Sequence, residues 1–227
     1  MSTSPIVIIL QTWERTEYAL ATIAAARRNL VYDGPLVWFV TDDGSRREHL
    51  DAVMTALGDA SVAGLHSARE GYGACANAAW WAACQVSHLT LWLEDDWALR
   101  GPLDLRPWAA LLEGRADIGM VRSGHLNEFM RGTTTAHEGR MYWKLDHVSA
   151  HPGTPIFTGH PSLRHIRYRD AYGEYPVMLP PGETELHYNL AYERLPGPAI
   201  VWPCDLGIWG AWDHIGGVKT ENWQVAP

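Results

Sequence analysis

The sequence predicts an α/β fold: a Rossmann-like, mostly parallel central sheet flanked by helices, with a mixed elaboration toward its C-terminal end. Three observations carry the prediction. Short unbroken apolar runs alternate with helix-period segments through residues 1–100. Several of those runs stop at clusters of polar residues. After Gly101 the alternation gives way to an irregular pattern.

The elements follow in order. Residues 5–10, PIVIIL, are apolar and rich in β-branched side chains, the pattern of a strand buried on both faces. The next segment sets Leu20, Ile23, Ala24, Arg27 and Leu30 near one helical stripe, with alanine filling much of the rest. Asp33-Gly34-Pro35 is a turn signal. LVWFV, 36–40, is a second buried strand that ends at TDDGS. Residues 46–57 carry His49, Leu50, Val53, Met54 and Leu57 at helical spacing, and SVAGLHS holds a third, short strand. Residues 71–84 return to the helical period through Tyr72, Ala76, Ala79, Trp80 and Ala83, and HLTLWL, 88–93, is the fourth strand. The connections are long enough for right-handed crossovers. In such sheets ligands lie beyond the carboxyl ends of the strands, where QTWER, TDDGS and EDDW fall.

The second half is less regular. Pro107 to Leu112 reads as a short helix with proline near its start, and DIGMVRS as a strand. Residues 124–160 show no clear period. Residues 161–176 read as a helix followed by a turn. GETELHYNLAYERL, 182–195, is a second helix with Leu186 and Leu190 one turn apart, bordered by Asn189 and Glu193. AIVWPC, 199–204, is a strand, and the tail after it is mostly loop.

Composition bounds the function. A chain of 227 residues with 47% hydrophobic and 19% charged residues supports a sizeable core. A net charge of −8 argues against general nucleic-acid binding, although Arg164, Arg167 and Arg169 form a short basic patch. Cys75, Cys84 and Cys204 are an odd set without paired spacing, so no disulfide framework is expected. The N-terminus lacks the basic region of a signal peptide, and no run of about eighteen apolar residues occurs, so no membrane span and a cytoplasmic location are expected. The twelve tryptophans serve as core filling, as an aromatic groove, or as both.

Two acidic clusters follow strands. Glu94-Asp95-Asp96 ends a hydrophobic run. Residues i and i+2 on an extended backbone face one side, so Glu94 and Asp96 can converge on a hard divalent cation such as Mg²⁺ or Mn²⁺, unless the run is a solvated acidic turn. Asp95 then points elsewhere, toward substrate or a backbone N–H. Asp42-Asp43-Gly44-Ser45 offers carboxylates to a base or sugar hydroxyl, or forms the capped turn that opens a helix. Gly71 and Gly73 match no phosphate-loop pattern.

These segments, IVIILQTWERTEYALATIAAARRNL, WFVTDDGSRREHL and ANAAWWAACQVSHLTLWLEDDWAL, taken in order, resemble an inverting glycosyltransferase of the family 2 type with the GT-A fold. The resemblance implies a nucleoside-diphosphate sugar donor, a UDP-sugar by family habit, and a Mn²⁺ or Mg²⁺ cofactor. It makes residues 1–100 the nucleotide-sugar-binding half of a single domain and 101–227 the acceptor-binding half with its elaboration. Gln11 or Thr12, with Glu14, would line the nucleotide end; Asp43, or Asp42, would bind the base; Asn77 would fix the ribose or order the site through its helix. Glu94-Asp95-Asp96 stands where the family carries its DxD, with Asp96 as metal ligand, Glu94 in place of the first Asp, and Asp95 toward the sugar. PPGETELHYNLAY resembles the stretch that supplies the catalytic base, but Thr184 stands where an Asp would follow Glu183, so the base is Glu183 or Glu185. WDHIGG resembles the late His of some GT-A enzymes and makes His214 a candidate for the metal or diphosphate. FTGHPSL, 157–163, would form an acceptor-side loop that sets Gly159 and His160 near the sugar, and Trp143 and Trp209–Trp212 offer a platform for a sugar's apolar face. The acceptor is a hydroxyl on a glycan, a protein, a small molecule or a modified DNA base. The other readings are a non-catalytic sugar- or nucleotide-binding GT-A-like domain, and a nucleotidyltransferase; LQTWERTE lacks the glycine-rich loop of the latter.

Overall fold

The computed structural model describes residues 4–126, 130–148 and 155–216. Its strands are β1 (Ile6–Thr12), β2 (Leu30–Val31), β3 (Leu36–Asp42), β4 (Val62–Ser67), β5 (Leu89–Glu94), β6 (Trp97–Leu99), β7 (Leu103–Asp104), β8 (Ile118–Arg122), β9 (Gly132–His137), β10 (Arg140–Leu145), β11 (Ser162–His165), β12 (Ala199–Pro203) and β13 (Trp212–His214). The helices are α1 (Thr16–Asn29), α2 (Arg47–Leu57), α3 (Tyr72–Cys84), α4 (Arg106–Gly114), α5 (Ile166–Tyr172) and α6 (Pro181–Arg194).

A nine-stranded sheet runs in the order β4-β3-β1-β5-β11-β8-β12-β10-β9. The first four strands are mutually parallel. β11 enters antiparallel between β5 and β8, β12 lies parallel to β8, and the β9–β10 hairpin closes the far edge. β11 and β10 thus run against the other strands of a mostly parallel sheet. The strand period of two divides the apolar residues between two cores. Ile6, Ile8 and Leu10 pack with α1, α2 and α4 on one face. Val7 and Ile9 pack with α3, α5 and α6 on the other. Two short pairs, β13 on β6 and β2 on β7, bind the second half of the chain to the first.

Several elements differ from the sequence expectation. Residues 161–176 open as the strand β11 before turning helical, and part of 124–160 forms the β9–β10 hairpin. Part of the tail pairs as β13. On α6 the buried residues are Thr184, Tyr188, Asn189 and Tyr192, while Leu186 is exposed. The reason is a partner surface made of rings: Tyr188 stacks on Tyr175 at 4.5 Å and meets Phe157 at 4.6 Å. On α1 the small residues Ala19, Thr22, Ala25 and Ala26 are buried with Ile23, whereas Ala24 and Arg27 face solvent. The basic patch does not exist as a surface. Arg164 is fully buried between the rings of Trp92 and Trp80, with Tyr175 Oη accepting its Nη1–H at 2.7 Å. Arg167 is spent on the carbonyls of Leu112, Arg115 and Ile118 that end α4 and lead into β8.

The three cysteines are free thiols. Among the described residues no helix is long and apolar enough to cross a membrane.

Candidate active site

Strand register builds the site. β1, β3 and β5 end side by side, with Gln11 opposite Glu94 and Thr12 opposite Asp42. Beyond these ends lies an open cleft of about 210 Å³. Of the residues singled out from the sequence, Gln11, Thr12, Asp43, Glu94, Asp95, Asp96, Glu185 and His214 line it.

The three acids differ sharply. Asp95 is fully buried; its Oδ2 accepts from Thr12 Oγ1 at 2.8 Å and Trp13 N at 3.2 Å, and its Oδ1 from Arg15 Nη2. Burial pushes the Asp95 carboxyl up to about 6, against the opposing pull of Arg15. Asp96 Oδ2 accepts from Arg15 Nη1 at 2.6 Å and lies 3.1 Å from His214 Nε2. Asp96 Oδ1 is buried without a hydrogen-bond partner among the described residues, as is Gln11 Oε1. Glu94 Oε1 accepts from Tyr72 Oη at 3.0 Å. Burial first, then Glu185 and Asp96, hold Glu94 well above the usual carboxylate range.

Asp43 Oδ1 accepts the backbone N–H groups of Glu70 and Gly71, at 2.9 and 2.7 Å, where the chain turns into α3. Arg69 lies beside Asp43 and stacks over the Trp13 ring at 4.7 Å. Thr12 gives its proton to Asp95, so His49 Nε2–H donates to Thr12 at 2.9 Å and His49 Nδ1 accepts from Thr16. Burial lowers the His49 pKa, in keeping with a neutral ring.

The second half enters the cleft at three points. β13 pairs His214 with Trp97 and sets it against Asp96. α6 delivers Glu185, whose Oε1 accepts the Gly159 N–H. One turn on, Asn189 Oδ1 accepts the N–H groups of Ile156 and Phe157, at 2.8 and 2.9 Å. The 155–160 segment is thereby fastened to α6. Gly159 sits tight against the acids: a Cβ there would lie 2.6 Å from Oε1 of both Glu94 and Glu185, so a larger residue must displace them. His160 lines the cleft beside it, its ring 4.7 Å from that of Trp97.

Four residues singled out for the nucleotide or for catalysis, Asp42, Glu14, Asn77 and Glu183, lie outside the cleft lining. Asp42 is buried and bonded by Ser45 N and the hydroxyls of Ser45 and Ser67. Glu14, at φ +55°, spends its carboxylate on Arg46 N and Nε. Asn77 exchanges two hydrogen bonds with the Tyr175 backbone, at 2.8 and 2.9 Å, tying α3 to the α5–α6 connection. Glu183 is exposed on the first turn of α6. Thr184 is buried and donates to Leu179 O at 3.2 Å.

Sequence reasoning missed Arg15, Tyr72 and His125, all of which line the cleft. Arg15 carried a signal: it is a cation in the loop after β1, opposite a run of three acids after β5. Among the described residues no group of three or more His, Cys, Asp or Glu side chains is placed to hold a metal ion.

No family model matches the chain, and no curated protein matches it. Solved structures do. A structure of S. aureus TarS residues 1–349 in complex with UDP-GlcNAc superimposes with a TM-score of 0.59 at 15% identity, covering 95% of this chain and 61% of that one. GalNAc-T7 with UDP, GalNAc and Mn²⁺ gives 0.61 at 13% identity, covering 88% and 42%. The mannosyltransferase PcManGT from Pyrobaculum calidifontis, in complex with GDP-Man and Mn²⁺, gives 0.54 at 14%, covering 87% and 56%. The chain has the fold of the GT-A glycosyltransferases. It spans less than two thirds of the length of these structures.

Proposed function

We propose that this protein is a metal-dependent inverting glycosyltransferase that moves a sugar from a nucleoside-diphosphate sugar, a UDP-sugar in the first instance, to an acceptor hydroxyl. One observation carries the reading. In a GT-A fold, acids at the ends of β3 and β5 share a cleft with a separate carboxylate, Glu185, from α6.

Asp43 would bind the nucleobase; one of its carboxylate oxygens is fixed by two N–H groups and the other lies toward Arg69. Gln11 Oε1, buried without a partner among the described residues, would accept from a ligand donor. Asp96 and His214 are the residues to hold Mn²⁺ or Mg²⁺. Asp96 Oδ1, without a hydrogen-bond partner among the described residues, and an imidazole nitrogen 3.1 Å from Oδ2 would suit a hard divalent cation. When bound there, a divalent cation would offset charge on the departing diphosphate. Glu185 takes the proton of the acceptor hydroxyl, its carboxylate oriented by Gly159 N–H. Glu94 stays protonated more readily than an ordinary carboxylate and faces the sugar with Tyr72.

The test is a thermal-shift and turnover series with UDP- and GDP-sugars, with and without Mn²⁺. Stabilisation by one nucleotide in the presence of Mn²⁺ is expected through binding linkage. Glu185→Gln should lower turnover at least about 100-fold, as the loss of a general base does, while Glu183→Gln stays near wild type. A product of retained anomeric configuration, or no nucleotide response, overturns the proposal.

A further inference from the structure

The turn Gly207–Gly210 follows β12 and is tied down along its length. Leu126 N–H donates to Ile208 O at 2.9 Å, Trp202 Nε1–H to Gly207 O at 3.1 Å, and Ala211 N–H to Ser123 O at 2.9 Å. Gly207 and Gly210 have φ of +61° and +65°, and a Cβ at Gly210 would fall 1.7 Å from Gly124 O. A backbone held this firmly defines where its side chains point. Yet its tip holds two large apolar residues out in water: Ile208 is 56% and Trp209 63% exposed. Both side chains are thus presented to solvent on a fixed backbone.

Trp209 stands at the edge of the cleft. Its ring meets His125 edge-on, at 5.9 Å and 88°, and His125 is a wall of the cleft. The His125 ring is hydrogen-bonded to the Trp212 backbone, and burial lowers its pKa, in keeping with a neutral ring. His125 Nε2 is buried with no hydrogen-bond partner among the described residues. An apolar plane therefore stands beside a cleft-wall imidazole whose buried Nε2 has no partner among the described residues. The other tryptophans proposed from the sequence as a platform are not available: Trp212 is buried against Ser123 Oγ, and Trp143 is half-buried in the sheet opposite Trp202.

We infer that Trp209 and His125 form a saccharide subsite on the acceptor side of the cleft. The indole takes the C–H face of a pyranose ring, and His125 Nε2 accepts a proton from one of its hydroxyls. A pyranose pairs an apolar face with a rim of hydroxyls, which favours it over a peptide. The inference rests on the glycosyltransferase reading and narrows it to a glycan acceptor.

The experiment uses the whole chain, as wild type, Trp209→Ala and Trp209→Phe, against immobilised oligosaccharides and serine- and threonine-bearing peptides. The same proteins are tested for thermal stabilisation by UDP or GDP with Mn²⁺. Wild type should be retained by a pyranose oligosaccharide and shift its tryptophan emission on binding it. Trp209→Ala should weaken that binding at least about tenfold and lose the shift, while Trp209→Phe keeps binding within about threefold. All three should respond equally to nucleotide. Nucleotide stabilisation with no saccharide retained, with peptide retained instead, or with Trp209→Ala binding like wild type overturns the subsite and leaves the transferase reading standing. Saccharide binding that depends on Trp209 without any nucleotide response overturns the transferase reading alone.

Discussion

Arg15 is the residue on which the acidic site balances. It bridges Asp95 and Asp96, two carboxylates that are almost wholly buried. Removing one partner of a buried ion pair leaves charge unsolvated at a cost of about 3–5 kcal/mol. Because the Arg15 side chain is 30% exposed, screening reduces the figure to about 2–3 kcal/mol. Arg15→Ala should therefore lower the melting temperature of the metal-free protein by several degrees. Mn²⁺ should restore part of it, giving a larger metal-dependent shift than in wild type. An unchanged melting temperature, or a metal shift no larger than wild type, would remove Arg15 from this role. Gly159 is the second sensitive position. A methyl there meets Glu94, Glu185 and Tyr72 at once, within 2.7 Å. Gly159→Ala should cost more than about tenfold in turnover while UDP–Mn²⁺ stabilisation persists, because the displaced group is Glu185 rather than the nucleotide contacts. Wild-type turnover in that variant would show that the 155–160 segment stands clear of the chemistry.

At the scale of elements, α6 carries both the candidate base and the clamp that orders the loop facing it. Asn189 supplies the clamp, satisfying two buried N–H groups with one oxygen. Asn189→Ala should cost about 1–3 kcal/mol of stability, the penalty of leaving buried donors unmet. Turnover should fall with nucleotide binding unchanged; denaturant unfolding and calorimetric titration read the two separately. What the sequence revealed tracks this division. The ends of β1, β3 and β5 were legible because an apolar run and its terminal polar residues are neighbours in the chain. β11 was not, because its four residues centre on Arg164, and a buried arginine is tolerated only with the rings of Trp80, Trp92, Phe157 and Tyr175 around it. Those rings are distant in sequence. The buried face of α6 was misread for the same reason, since tyrosines pack inward when their partners are other rings. Between Glu183 and Glu185 the sequence could not choose; helix phase places Glu185 in the cleft and Glu183 in solvent.

At the scale of the whole molecule, the thiols report on the integrity of the layers. Cys75 is buried, its Sγ near Asp42 O and Ala68 O, and burial followed by Asp43 pushes its pKa up to about 12. Cys204 is exposed. A thiol reagent at pH 8 should modify Cys204 promptly in the native protein and reach Cys75 only on unfolding. Prompt reaction at Cys75 would show that the α3 layer opens readily.

The wedged position of β11 also sets a clock on synthesis. β5 leaves the ribosome with β1 ready to pair one edge, but the strand that covers its other edge follows roughly 70 residues later, about 4–14 s at ordinary translation rates. Through that interval the nascent chain presents LTLWL, uncharged and β-prone, as an open edge. The newborn protein is thus most vulnerable to aggregation before Ser162 emerges, and slower translation lengthens the exposure.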